Sequence, residues 1–155
     1  MDCHKLYGPS VPEKGWVPAP RYLLRRQRLL EILAGIPPCS LMEVGCGPGA
    51  LIHELSLKGY DCTAVEMSQQ ALDLARYVNQ TRNNVSLHNE LCVDWAGNFD
   101  LLIACEVLEH IQDDKSALLD WCRMLNKGGR LLISVPCHMR KWTETDDWAG
   151  HYRRY

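Results

Sequence analysis

Glu43-Val44-Gly45-Cys46-Gly47-Pro48-Gly49-Ala50 sets a carboxylate, a run of glycines and a proline directly after the apolar pair Leu41-Met42, and Glu66 follows 21 residues after Gly45. The spacing satisfies G-x-G-x-x-A, in which a strand, a tight turn and a helix start cradle a nucleotide. An acid closing the next strand, as Glu66 does, can accept both hydroxyls of an adenosine ribose. Two residues bear on what that adenosine carries. A pyrophosphate needs backbone N–H donors, and Pro48 removes one. Glu43 adds a negative charge beside the loop, which repels phosphate and suits a ligand with ammonium and sulfonium charges. The expected ligand is therefore an adenosine with a cationic amino-acid tail. By spacing alone, an NAD(P)-linked oxidoreductase is the alternative.

A second cluster stands at Glu106, Glu109 and His110. At i, i+3 and i+4, one helical turn would gather all three on one face. Two carboxylates and an imidazole can hold a divalent cation or share a proton.

These residues need elements to hold them. Leu23, Leu24, Leu29, Leu30, Ile32 and Leu33 recur at helical spacing and predict a helix over 21–34, stopped by Gly35-Ile36-Pro37-Pro38. Arg25, Arg26 and Arg28 read as its solvated face. Strands are predicted at 40–44, 61–65, 85–88, 99–104 and 130–135, and helices at 50–58, 68–80 and 114–125. Ser68 is the expected N-cap of the 68–80 helix, and Asn126-Lys127-Gly128-Gly129 a glycine stop after the last one. Strands alternating with helices imply an α/β fold with a parallel sheet covered on both faces. Residues 1–20, with Pro9, Pro12, Pro18 and Pro20, predict an irregular lead-in ahead of one domain over 21–155.

Composition narrows the classes. The chain has 155 residues, 46% hydrophobic and 23% charged, with a net charge of -2. So near-neutral a balance calls for neither nucleic acid nor an anionic membrane as partner. No apolar run reaches the roughly 20 residues of a membrane span, and the first residues lack the order of a signal peptide. Eight cysteines without a C-x-x-C spacing predict reduced thiols and a cytoplasmic protein, not a disulfide or zinc framework.

Glu43-Val44-Gly45-Cys46-Gly47-Pro48-Gly49 resembles motif I of the class I S-adenosylmethionine-dependent methyltransferases. Val65-Glu66-Met67-Ser68 resembles the segment that follows it, Phe99-Asp100 through Ile111 the fourth strand and its exit, and Leu125 to Pro136 the fifth-strand signature. The likeness runs from about residue 40 to the end, in order and in spacing. It implies a Rossmann-like sheet and S-adenosylmethionine held by Glu43, Gly45, Cys46, Gly47, Gly49, Glu66, Met67, Glu90, Leu91, Cys105 and Glu106. In the family an acid after the third strand reads the adenine edge, which points to Glu90 first and Asp94 second. The Glu106, Glu109, His110 cluster is similar to that of the ubiquinone-biosynthesis O-methyltransferases, where it is associated with a metal near the acceptor phenol. The resemblance thus implies methyl transfer to a small-molecule acceptor, at oxygen, with His110 and His151 as the candidates for catalysis.

Gly150-His151-Tyr152-Arg153-Arg154-Tyr155 resembles the Gly-His-x-Arg-x-Tyr segment that lies over the cleft in such enzymes, so His151 and Arg153 are expected to help close the acceptor pocket. The family fold continues from there through another helix and two strands. The expected sheet is accordingly a five-stranded, C-terminally incomplete one. Its fifth strand is an open edge for a partner, a second copy or the rest of a longer chain. A cofactor-binding fragment without catalysis is the third reading.

Overall fold

Apolar runs alternating with amphipathic stretches bury their faces as a parallel sheet between helices. The computed structural model, which describes residues 8–155, has that form. The strands are β1 (Ser40–Val44), β2 (Asp61–Val65), β3 (Val85–His88), β4 (Phe99–Cys105) and β5 (Leu125–Ser134). They lie in the order β3-β2-β1-β4-β5, and every neighbouring pair is parallel. The helices are α1 (Pro20–Leu33), α2 (Ala50–Leu57), α3 (Gln69–Asn79), α4 (Asp114–Met124) and α5 (Glu144–Ala149).

Side-chain alternation along the strands divides the core. Leu41, Cys62, Ala64, Leu101 and Ile103 point to one face, where Leu29 and Leu33 of α1, Leu51, Ile52 and Leu55 of α2 and Ala75 of α3 cover them. Met42, Val44, Val65, Phe99, Leu102 and Ala104 point to the other, against Trp121 and Met124 of α4. The chain leaves β1 toward β2 on one side and reaches β4 on the other. That reversal of winding opens a crevice beyond the carboxyl ends of β1 and β4, and both acidic motifs stand at its rim.

Two elements differ from expectation. The glycine stop after α4 is replaced by a direct entry into β5. Leu125 already pairs with Phe99, the register then shifts before Leu101, and Gly128 takes φ 84° inside the irregularity. The last carbonyls of α4 need no glycine cap, because Gly97 and Asn98 donate to Arg123 and Met124. The stretch after Pro136, polar and without a periodic pattern in the sequence, holds α5 under a capping box formed by Thr143 and Asp146. Ser68 caps α3 as expected, accepting from Ala71. The lead-in within the described residues holds a short 3-10 turn, Pro12–Lys14, and a bridge between Val11 and Trp16. Its first seven residues, Cys3 and the reading of no signal peptide among them, lie outside the described residues. The seven described cysteines are unpaired. No helix among the described residues is long and apolar enough to cross a membrane.

Candidate functional site

The glycine loop is built to bring backbone close to backbone. A Cβ on Gly45 would overlap Val107 beyond β4, and one on Gly49 would lie 2.9 Å from the Ala75 Cβ of α3. Both glycines also take φ 72°, where an L side chain is strained. The loop's donors are already used. Gly45 and Cys46 donate to the Val65 carbonyl at 2.8 and 3.1 Å, and Gly49 to the Cys46 carbonyl at 3.0 Å. Gly47 donates to Glu66 Oε2 at 2.8 Å, and Pro48 has no N–H. A pyrophosphate would find no free donor from Gly45 through Gly49. Pro48 supplied only part of that argument from sequence; the bonding of the other four completes it.

Glu66 reaches across to this loop and also accepts from Ser68 N–H at 2.8 Å through its other oxygen. Each carboxylate oxygen has two lone pairs, so one on each is left for the cleft that Glu66 lines. Glu43, at 5% exposure, is buried under the loop. Ile52 N–H donates to its carboxyl, yet Oε2 has no partner. Burial pushes this carboxyl up to about 8, Arg25 pulls against that, and Glu66 adds to it. A buried acid with one oxygen unmatched fits a cationic ligand and resists an anionic one.

Beside the loop runs a cavity of about 710 Å³ lined by Gly45, Glu66, Met67, Glu90, Leu91, Glu106, Val107, His110 and the inner face of α4. Of the expected contacts, Glu66, Met67, Glu90, Leu91 and Glu106 therefore share one wall. Asp94, in the 3-10 turn Val93–Trp95, is not part of it, whereas Glu90 is. Cys46 and Cys105 pack their side chains into the core beneath α1 and α2, and burial pushes the Cys105 thiol up to about 11.

The second cluster does not assemble as one helical turn. Glu106 takes φ 57° ahead of a 3-10 turn, Leu108–His110. Its carboxylate turns to Ser134 Oγ at 3.1 Å and Arg25 Nη1 at 3.8 Å. Glu109 goes the other way and is fully buried, with neither carboxyl oxygen partnered. Among the described residues, the acidic and imidazole groups whose ligand-type atoms lie within 4.8 Å of one another are Glu109, His110 and His151. The carboxylate pair expected to share a cation is thus split, and His151 stands in the place of Glu106 beside Glu109 and His110. Burial raises the Glu109 carboxyl; burial and the neighbouring His151 lower His110.

His151 meets His110 edge-on, ring centroids 4.7 Å apart, and its Nδ1 lies 2.8 Å from Asp146 Oδ1. Arg153, expected to help close the pocket, has Nη1 2.6 Å from Asp114, and its Nη2 donates to the Gln112 carbonyl at 2.5 Å.

Sequence reading missed four residues here. Arg25 and Arg26 were assigned to a solvated face, but Arg26 is buried and paired with Glu54, and Arg25 faces Glu106. Only Arg28 is mainly in solvent. Tyr22 has a buried hydroxyl without a partner. Tyr22, Arg25 or Arg26, Leu29 and Leu33 share one helical stripe, and that period was the available signal. Asp146 was the fourth, and Thr143-x-x-Asp146 ahead of a turn was its signature.

Comparison with known proteins agrees with this geometry. Residues 19–154 match the family described as Methyltransferase domain. The ubiquinone biosynthesis O-methyltransferase of Aromatoleum aromaticum is 28% identical over 107 residues, 66% of this chain and 46% of the relative. That of Xanthomonas axonopodis pv. citri is 28% identical over 123 residues, 75% and 52%. The chain spans about half the length of the curated relatives it matches. Among solved structures, N-methyltransferase NodS from Bradyrhizobium japonicum, in complex with S-adenosylhomocysteine, superposes with a TM-score of 0.69 at 22% identity, over 86% of this chain and 69% of that one. Phosphoethanolamine N-methyltransferase 2 of Haemonchus contortus, in complex with S-adenosylmethionine, gives 0.70 at 18%, over 85% and 34%. The chain belongs to the methyltransferase domain family.

Proposed function

We propose that this chain transfers the methyl group of S-adenosylmethionine to an oxygen of a small-molecule acceptor. The observation that carries the reading is the glycine loop itself, with every backbone donor spent and an unmatched buried acid, Glu43, beneath it. Such a loop offers nothing to a phosphate and a counter-charge to a sulfonium amino acid. Glu66 takes the ribose hydroxyls, Glu90 the adenine edge, Glu43 the ammonium and Arg25 the carboxylate. When bound, the cofactor supplies an electrophilic methyl carbon on a positively charged sulfur.

The protein's part is to hold the acceptor in line and keep the site dry. His110 lines the cavity, and its burial favours the neutral form that can accept a proton. An acceptor hydroxyl needs a base at this wall, from His110 or from His151 packed edge-on against it, whereas a free amine does not. The named relatives, O-methyltransferases at 28% identity, support oxygen as the atom methylated. Calorimetry with S-adenosylmethionine and with NADH tests the cofactor; NADH binding in place of S-adenosylmethionine would overturn the reading. Transfer of labelled methyl to a panel of phenols, amines and carboxylic acids tests the acceptor, with phenols expected to lead.

A further inference from the structure

Asp146 is the most heavily bonded side chain in the C-terminal segment, and the cofactor site makes no use of it. Its carboxylate is 1% exposed. Oδ2 accepts from Thr143 N–H at 2.8 Å, Thr143 Oγ1 at 3.1 Å and Arg154 Nη2 at 2.8 Å. Oδ1 accepts from Arg154 Nε at 2.7 Å and faces His151 Nδ1 at 2.8 Å. The Arg154 guanidinium, above all, holds this carboxyl far below the usual carboxylate range. An ionised carboxylate can only accept, so Nδ1 of His151 must carry the hydrogen in that contact. The neutral imidazole then has its lone pair on Nε2. The ring stands edge-on to His110, which lines the cavity, and beside the unpartnered Glu109.

We infer that Asp146 is a positioning residue that fixes His151 in the Nδ1–H form, so that His151 Nε2 takes the proton of the acceptor hydroxyl. The inference rests on the oxygen-acceptor reading above. In the step, the acceptor oxygen bonds the methyl carbon while its proton passes to Nε2. The pair of the broken carbon–sulfur bond stays on sulfur, which leaves as a neutral thioether. The imidazolium so formed is stabilised by Asp146 at Nδ1. The same segment clamps onto the turn that carries Glu109 and His110: Tyr152 N–H donates to the Glu109 carbonyl at 2.7 Å. His151 is thereby kept in register with the cavity wall.

Asp146→Asn is the informative change. Three donors converge on Oδ2 and one guanidinium N–H on Oδ1, so the amide oxygen takes the Oδ2 place and the NH2 group turns to His151. That NH2 donates to Nδ1 and drives the hydrogen to Nε2, removing the base. Ring-nitrogen NMR of the full chain with 15N-labelled histidine, recorded where His151 is neutral, reads the form directly. Wild type is expected to show Nδ1–H and Asp146→Asn to show Nε2–H. Turnover of a hydroxyl acceptor should fall about 100-fold or more in kcat, with KM for the cofactor within about two-fold. Thr143→Ala weakens the same cap without touching His151 and should leave both the tautomer and kcat unchanged. Nε2–H in wild type overturns the inference whatever the stability of the variant. So does full kcat in Asp146→Asn, or an equal loss of kcat in Thr143→Ala. Methylation confined to amines overturns the oxygen reading and the base with it, while the NMR still reports on Asp146 itself.

Discussion

The two ends of the cleft satisfy their polar groups in opposite ways. At the glycine loop the backbone bonds to its own neighbours within residues 43–68, and one acid oxygen, on Glu43, is left over. At the end proposed for the acceptor the chain is held by partners far apart in sequence, such as Arg153 on Gln112 and Tyr152 on Glu109, while both Glu109 oxygens stay unmatched. A loop with no spare donor selects by exclusion, turning away any ligand that needs N–H groups. A wall with spare acceptors selects by attraction, toward a ligand that brings donors or positive charge.

Glu43 offers the strongest way to break that contrast. Glu43→Gln keeps the Ile52 contact but loses the counter-charge, and should weaken S-adenosylmethionine binding by about 100-fold or more. The same change should stabilise the unliganded protein. The folded carboxyl, pushed up to about 8 by burial, holds its proton more tightly than the unfolded one. Glu43 therefore costs nothing below the unfolded range and destabilises the fold progressively as pH rises toward 8. At pH 8.5 Glu43→Gln should gain on the order of 2 kcal/mol, several degrees in Tm, and at pH 5 almost nothing. Binding a cation requires the ionised form, so wild-type affinity should rise between pH 6 and about 8 and then level, with a proton released on binding at the lower pH. Affinity flat with pH, alongside unchanged stability of the variant, would remove Glu43 from the site.

The same contrast governs what could be read before folding. Strand–turn–helix at 40–57 and the acid at 66 were legible because each contact there is local and each residue type has one mechanical reason to be present. Glu106 was misplaced because i, i+3, i+4 spacing presumes a continuous α-turn. The chain instead bends at φ 57° to let its N–H and carboxylate both reach Ser134. Arg25 and Arg26 were misread for a related cause. Charge suggested solvent, but their partners Glu54 and Glu106 lie on other elements, and only the sheet brings them together. Asp146 and His151 stand five residues apart, yet nothing in that spacing told that the carboxylate would be buried and the ring turned toward it.

The glycines sharpen the cofactor side by their differences. Gly49→Ala combines a strained φ of 72° with a Cβ 2.9 Å from Ala75 and 2.6 Å from Asn79 Nδ2. It should cost about 2–4 kcal/mol of stability, read by denaturant unfolding. Gly47→Ala meets nothing within 4 Å and pays the strain of φ 53° alone. It should cost about 1 kcal/mol, and calorimetry should show its effect on cofactor affinity within about three-fold. Equal costs at the two positions would mean that packing against α3 does not set the loop.

The smallest effect belongs to the clasp at the acceptor side. Arg153 joins Asp114 and the Gln112 carbonyl, and Tyr155 Oη donates to Asp114 at 2.8 Å. These groups are partly in solvent, where an ion pair contributes on the order of 0.5–1 kcal/mol. Arg153→Gln should therefore shift the unfolding midpoint only slightly. Because the clasp fixes the segment carrying His151 against the start of α4, the loss should instead appear as a rise of about two- to five-fold in KM for the acceptor, with KM for the cofactor unmoved. An equal rise in both constants would show that the two ends of the cleft are coupled through α4, and that their opposite construction does not make them independent.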